Sequence, residues 1–163
     1  MSTLYVDTIT EKTSGSGVQI AGLVPAAGSV IQVQTFALAG VRIATSSSTF
    51  TATQLTVNIT PTSSNSKIYI SVCGSGNTEA AGRTLRYTIY RDSTDIGGSS
   101  LGFGQLYSSA GRMHTPIAAS IVDSPATTSQ VTYTFYVNAN NGTIEFPSST
   151  AEKATITAME IAQ

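Results

Sequence analysis

Residues 131–137, which read Val-Thr-Tyr-Thr-Phe-Tyr-Val, carry the pattern that decides the fold. The odd-numbered positions are Val or aromatic, and Thr occupies two of the three positions between them. Successive side chains of a β-strand point to opposite faces of a sheet, so this alternation indicates a strand with one buried face. The stretch therefore predicts a strand that packs on a core through Val131, Tyr133, Phe135 and Val137.

The same alternation recurs along the chain, interrupted by turn-forming residues. Strand candidates lie at residues 55–60, 68–73 and 85–90, with a less regular one at 156–161 and weaker ones at 31–36, 102–107, 117–122 and 143–146. Turn-rich segments separate them, and one ends in Asn141-Gly142, which favours a hairpin because both residues tolerate positive φ. No segment has a capped helical period. The sequence predicts an all-β, antiparallel β-sandwich that is jelly-roll-like.

The first 28 residues differ from the rest. Two short strand-like stretches, residues 4–9 and 18–20, are joined by a Ser/Gly-rich link, and a Gly/Ala/Pro link follows them. Two short strands are not stable alone, so they must pack on the main domain, on another chain or on a larger assembly. We expect an extended attachment or trimerisation segment at 1–28 and a β-sandwich domain at 29–163. The candidate assembly residues of that segment are Leu4, Val6, Ile9, Val18 and Ile20.

Composition excludes several functional classes. The 163 residues include 8 Lys and Arg and 9 Asp and Glu, and only 10% are charged, against roughly 25% in a typical soluble domain. Without a basic cluster, nucleic-acid binding is not expected. One Cys and one His cannot form a Cys/His zinc site, and we expect no cofactor. The chain also lacks an apolar run long enough to insert in a membrane, and its opening does not read as a signal peptide.

No recognisable catalytic constellation is present, so the chain is not expected to be an enzyme. His114 lacks the nucleophile elbow of a Ser-His-Asp hydrolase, and Cys73 reads as a small buried hydrophobe at the end of a strand. Asp92 and Asp95 read as turn residues rather than calcium ligands. One enzymatic alternative stays open: Asp123 and Glu145 could meet in space as the paired carboxylates of a glycan-degrading enzyme.

Gly-rich segments at 74–82 and 97–111 predict loops that project from the sandwich. Tyr107, Arg112 and His114 lie in or beside the second, and Arg83 follows the first. Loops at the end of a sandwich are common binding positions, and aromatic and Arg side chains suit sugar or protein surfaces. We take these four residues as candidate surface-binding loop residues. Solvated or intersubunit loops are the alternative.

The opening residues 1–15, followed by Val18-Gln-Ile20, resemble the start of virion structural and tail-fibre-like proteins of tailed phages, notably those that infect marine cyanobacteria. Four further stretches resemble the C-terminal β-domain of the same group. They read Ile-Thr-Pro-Thr-Ser-Ser-Asn-Ser-Lys-Ile at 59–68, Tyr-Arg-Asp-Ser-Thr at 90–94, Val-Asp-Ser-Pro-Ala-Thr at 122–127 and Ile-Thr-Ala-Met-Glu-Ile at 156–161. The opening is the more specific part of the resemblance.

The resemblance implies a homotrimeric, β-rich virion appendage on the tail or capsid surface. Its N-terminal segment would contact other virion proteins, and its sandwich would contact a host-surface glycan or protein. Because the chain has no shaft repeats and no heptads, we expect a short tail fibre or fibre tip, made in the host cytoplasm without a signal peptide. A capsid decoration or head-fibre protein is the alternative.

Overall fold

The computed structural model describes residues 25–98 and 100–163. The candidate assembly residues Leu4, Val6, Ile9, Val18 and Ile20 lie outside the described residues. The described part contains eleven β-strands and no helix, in the order β1 Val30–Ala39, β2 Ile43–Thr45, β3 Thr51–Ile59, β4 Lys67–Thr78, β5 Arg83–Arg91, β6 Thr94–Asp95, β7 Gly104–Ser108, β8 Met113–Asp123, β9 Val131–Asn140, β10 Ile144–Phe146 and β11 Lys153–Ile161.

The strands form two antiparallel sheets. The first has the order β1-β11-β4-β8, and β10 pairs with the end of β4 and carries β2 on its other side. The second has the order β3-β9-β5, and β6 and β7 both pair with β5. Strands consecutive in sequence mostly alternate between the two sheets, which is the arrangement of a jelly roll. The predicted all-β, jelly-roll-like sandwich is therefore confirmed.

The core lies between the two sheets, and alternate side chains of each longer strand point into it. Val131, Tyr133, Phe135 and Val137 are all buried, as the alternation of residues 131–137 predicts. Phe135 of the second sheet lies 4.7 Å, centroid to centroid, from Phe146 of the first. The two sheets thus meet through aromatic side chains in the middle of the core.

The turn prediction at Asn141-Gly142 is correct, but the hairpin prediction is wrong. Both residues have positive φ, 68° and 92°. The strands on either side belong to different sheets, because β9 pairs with β3 and β5 whereas β10 pairs with β2 and β4. Turn residues fix the local backbone only. Every residue of β10 is buried, so it lies between two strands and under the second sheet instead of folding back on β9.

Cys73 is exposed, which corrects the expectation that it is buried. In β4, Ile68, Ile70 and Val72 point into the core, so the odd-numbered side chains point outward. β4 also continues through Thr78, into the segment predicted as a Gly-rich loop. A Cβ at Gly76 would lie 2.7 Å from the Ile117 Cδ1 atom, so this glycine serves close packing between strands and not a loop.

Glu160 is a fully buried carboxylate that ties β11 to two other parts of the chain. Its Oε2 atom accepts a hydrogen bond from Gln32 Nε2 at 2.6 Å, and its Oε1 atom accepts two from Thr62, both at 2.7 Å. Burial of the carboxylate raises its pKa, but the hydrogen bonds outweigh this effect and the net pKa is lowered.

We expect this carboxylate to make the fold sensitive to acid. A group whose pKa is lower in the folded than in the unfolded chain stabilises the fold above the unfolded value, about 4.3 for Glu, and this stabilisation is lost as pH falls through the folded value. Urea midpoints measured from neutral pH downward should fall below about pH 4.5 and fall less for Glu160→Gln. The exposed Glu79→Gln is the control. Equal acid sensitivity of Glu160→Gln and the wild type would contradict the prediction.

Candidate functional site

Six residues from three parts of the chain line an open depression of about 440 Å³ at one end of the first sheet. Arg42 precedes β2, Arg112 and His114 lie at the start of β8, and the remaining three residues, Ser148, Ser149 and Thr150, connect β10 to β11. Asn77 of β4 pairs with His114 on one side and with Glu145 on the other, which brings the three parts together. We call this depression the arginine pocket.

A single buried carboxylate holds both arginines of the arginine pocket. Glu145 Oε1 lies 2.9 Å from Arg42 Nη1, and Glu145 Oε2 lies 3.1 Å from Arg112 Nη2. Asn77 Nδ2 also donates a hydrogen bond to Oε2, at 2.5 Å, so the carboxylate has three partners in all. The Glu145 side chain is 2% exposed, while those of Arg42 and Arg112 are 43% and 50% exposed. Solvent therefore contacts the guanidinium groups and not the carboxylate that orients them.

A second carboxylate, that of the partly exposed Glu152, lies beside Ser148 of the pocket. Glu152 Oε2 accepts hydrogen bonds from Ser75 Oγ and, at 2.6 Å, from Ser148 Oγ. These two bonds, the one from Ser148 first, lower the pKa of Glu152. The ionised group helps to fix the backbone of the connection that carries Ser148, and neither Glu145 nor Glu152 is among the six residues that line the pocket.

The structure brings together two of the four candidate surface residues, Arg112 and His114. Arg83 lies apart from them: its Nη1 atom donates to the Asn141 carbonyl oxygen at 3.0 Å and so holds the turn after β9. Tyr107 is 57% exposed on β7, at the edge of the second sheet. The loop placement of Arg83, Tyr107 and His114 is wrong, because each lies in a strand. Only Arg112 lies in a connection, immediately before β8.

Arg42 and the 148–150 connection were not predicted from the sequence, and Glu145 was considered only as a possible partner of Asp123. They are far from Arg112 in sequence, and only the position of β10 between β2 and β4 brings them near it. One signal was available: Glu145 is a carboxylate between two apolar residues in the short strand candidate at 143–146. A charged residue inside a buried strand requires a partner of opposite charge.

The outward face of the first sheet is the second notable surface. Cross-strand register places its outward side chains in rows that run across β1, β11, β4 and β8. We call three successive rows the neutral face: Val33, Met159, Tyr69 and Val122; Thr35, Thr157, Ser71 and Ser120; and Ala37, Thr155, Cys73 and Ala118. None of these described residues is charged. Lys67 and Lys153 lie beyond the rows, one at each end.

The neutral face combines small, hydroxyl and apolar side chains. Val33 and Val122, at the two ends of the apolar row, are each 50% exposed. The opposite side of the sandwich differs, because Arg86 lies in the middle of β5 and its side chain is partly exposed there. The neutral face of the first sheet therefore has no charged side chain, whereas the outward side of the second sheet has one in Arg86.

The proposed carboxylate pair of a glycan-degrading enzyme does not form. Asp123 pairs with Ile68 near the start of β4, and Glu145 pairs with Asn77 near its end. At about 3.3 Å per residue, this separation along the strand is about 30 Å, against roughly 5 to 10 Å between the carboxylates of glycosidases. Within the described ranges, no group of three or more His, Cys, Asp and Glu side chains is placed to hold a metal ion.

No protein-family model matches the chain, and no curated protein sequence matches it. The described residues include no helix that is long and apolar enough to cross a membrane.

Proposed function

We propose that the chain is a structural protein of a phage virion, a short tail fibre or fibre tip that assembles as a homotrimer and contacts the host surface. The neutral face is the observation that carries this proposal. A stable interface between subunits needs a broad patch that loses water at little cost, and charged side chains are depleted from the centre of such patches. The neutral face meets that requirement over four adjacent strands.

Burial of the neutral face also answers a problem of the isolated chain. The half-exposed Val33 and Val122, together with Met159 and Tyr69 between them, form a continuous apolar row across the sheet. Contact with a second copy removes this row from water, which stabilises by about 25 cal/mol per Å² of apolar area. The hydroxyl row beside it can form hydrogen bonds to polar groups of the neighbouring copy or retain water. Closed symmetry is the usual outcome of such self-association, and the resemblance to fibre proteins favours three subunits.

The two ends of the sandwich differ in a way that suits an appendage. Gly28 donates a backbone hydrogen bond to Ala162, and Val30 pairs with Ile161, so the N-terminal segment joins the sandwich at the Lys67 end of β4. The arginine pocket lies at the other end, beside Asn77. About 30 Å of strand separates them. An attachment segment at one end leaves the charged pocket at the far end, facing away from the particle.

Native mass measured by light scattering on a sizing column tests the assembly. We expect the wild-type chain to have close to three times its 16.9 kDa mass. Ser71→Glu introduces a carboxylate at the centre of the neutral face and should shift the mass to that of one chain, because each interface would bury an unpaired charge. Thr134→Glu introduces the same charge on the outward side of β9 and should leave the mass unchanged.

A wild-type monomer, or a Thr134→Glu variant that dissociates while Ser71→Glu does not, would contradict the assembly. Location on the particle is tested separately with an antibody against the chain and electron microscopy of intact virions that carry it. We expect label at the tail tip. Label on the head would identify the decoration or head-fibre alternative instead, and particles without label would contradict a virion role.

A further inference from the structure

We infer that the arginine pocket binds an acidic saccharide, a sugar that carries a carboxylate or sulfate group. This inference rests on the proposed contact with a host surface and names the chemistry of the ligand. The acidic group would lie against Arg42 and Arg112, and the sugar hydroxyls would contact the hydroxyl groups of Ser149 and Thr150.

The two guanidinium groups of the arginine pocket are held in place but remain open to solvent. Each gives one terminal nitrogen to Glu145, at 2.9 and 3.1 Å, and each remains about half exposed. A guanidinium has five N–H donors, so most of those on Arg42 and Arg112 remain for a ligand. The shared carboxylate holds the two forks side by side before any ligand arrives, which lowers the conformational entropy lost on binding. Paired planar donors of this kind favour carboxylate and sulfate oxygens over neutral acceptors.

The described residues that line the pocket include basic side chains and no acidic ones. Arg42, Arg112, His114 and three hydroxyl residues line the pocket, and no carboxylate is among these described lining residues. Glu145 is buried beneath the arginines, and the Glu152 oxygen Oε2 accepts hydrogen bonds from Ser75 and Ser148. Glu145 is thus held behind the lining, whereas Glu152 is partly exposed and has one oxygen occupied by the two serine hydroxyls. An anion that enters the pocket contacts hydrogen-bond donors first.

The remaining features of the lining favour a sugar that carries the acidic group over a simple anion. Ser and Thr hydroxyls donate and accept, as sugar hydroxyls do, and Ser149 and Thr150 of the lining present them to solvent, whereas the buried Ser148 donates its hydroxyl to Glu152. A volume of about 440 Å³ is within the usual range for small-ligand sites, and it is open to solvent as an end of a longer saccharide requires. No aromatic ring is among the lining residues on which a base or an uncharged sugar could stack. Selectivity should therefore come from the acidic group.

Isothermal titration calorimetry, in which each probe is added to the 163-residue chain, tests the inference. The probes are trigalacturonic acid, a sulfated disaccharide from chondroitin sulfate, neutral maltotriose and sodium sulfate. We expect at least one acidic saccharide to bind at least about tenfold more tightly than maltotriose, which corresponds to one charge-assisted contact. The stronger of the two acidic probes identifies the acidic group as carboxylate or sulfate.

Variants assign the binding to the pocket. Arg112→Gln should weaken binding of the acidic saccharide about tenfold. Because this change also removes a partner of Glu145, Thr150→Glu is the second variant: Thr150 is exposed, and the change places a negative charge in the lining while both arginines stay paired. Thr150→Gln is its matched control for size. Arg86→Gln removes the same charge from the opposite face of the sandwich and should leave binding unchanged.

Three results would overturn the inference: equal binding of maltotriose and both acidic probes, sodium sulfate that competes as well as the saccharide, or equal losses in Arg86→Gln and Arg112→Gln. Native mass is measured on the same samples. A trimer that binds neither acidic saccharide overturns the ligand class and leaves the proposed assembly in place. A monomer that binds one at the pocket supports the inference and contradicts the assembly.

Discussion

Replacement of Phe135 by Ala is expected to lower the free energy of unfolding by about 3 to 5 kcal/mol, the usual cost of removing a large buried aromatic side chain. Phe135 is fully buried, and its ring centroid lies 4.7 Å from that of Phe146 and 5.9 Å from that of Tyr87. The two neighbours belong to opposite sheets, so the cavity would open in the contact that joins the layers. Because strands hold the surrounding backbone, the space cannot close by local collapse.

Urea denaturation at fixed protein concentration measures this effect. Tyr136→Ala is the matched control, since Tyr136 is the next residue of β9, points to the opposite face and stacks on Tyr90 at 4.0 Å. Loss of that half-buried stacking should cost about 0.5 to 1.5 kcal/mol. Equal costs for the two variants would show that Phe135 does not join the sheets as described.

The alternation in residues 131–137 was sufficient to predict which side chains of β9 are buried. Burial on one side of a strand is a local pattern with a period of two, so sequence reveals it wherever one face is polar. β3 and β4 were found in the same way. The method fails for β10, where Ile144, Glu145 and Phe146 are all buried and no alternation exists. The wrong hairpin prediction at Asn141-Gly142 follows from that failure.

The candidate site was only half predictable for a related reason. Arg112 and His114 were predicted as candidate binding residues because Arg and His are rare in a chain with so few charges. Their partners Arg42 and Glu145 lie far away in sequence, and their association depends on the order β4-β10-β2 within a sheet. Pairing order is set by long-range packing of whole strands, which no short window of sequence records. The neutral face, likewise, becomes visible only when register aligns residues from four strands.

Asp123→Ala is the second substitution with a large expected effect, a loss of about 3 kcal/mol in the free energy of unfolding. Asp123 of the first sheet accepts hydrogen bonds from Arg91 Nη1 at 2.8 and 2.9 Å and from Tyr133 Oη at 2.8 Å, and both donors belong to the second sheet. The Asp123 side chain is only 11% exposed. Its removal leaves the largely enclosed Arg91 guanidinium and the buried Tyr133 hydroxyl without their acceptor. Each unpaired buried group lowers the free energy of unfolding by about 1 to 3 kcal/mol.

The state of Tyr133 reinforces this expectation. Burial, followed by its hydrogen bond to Asp123, raises the pKa of the Tyr133 phenol far above its ordinary value. The hydroxyl therefore remains protonated and keeps its need for an acceptor throughout the pH range in which the protein is handled. Asp123 lies beside Ile68, near the end of the sandwich that contains Lys67, so the cluster joins the two sheets at that end.

A triple replacement separates the loss of this polar cluster from the loss of packing. Arg91→Met, Asp123→Leu and Tyr133→Phe together remove every polar group of the cluster while they keep its volume, and apolar replacement of a buried ion pair is often neutral or stabilising. We expect the triple variant to regain most of the stability that Asp123→Ala loses, measured by the same urea titration. If the triple variant is less stable than Asp123→Ala, the cluster contributes through its ion pair and not through the cost of unpaired groups. The clamp between the sheets would then be electrostatic, and its strength should fall as salt is added.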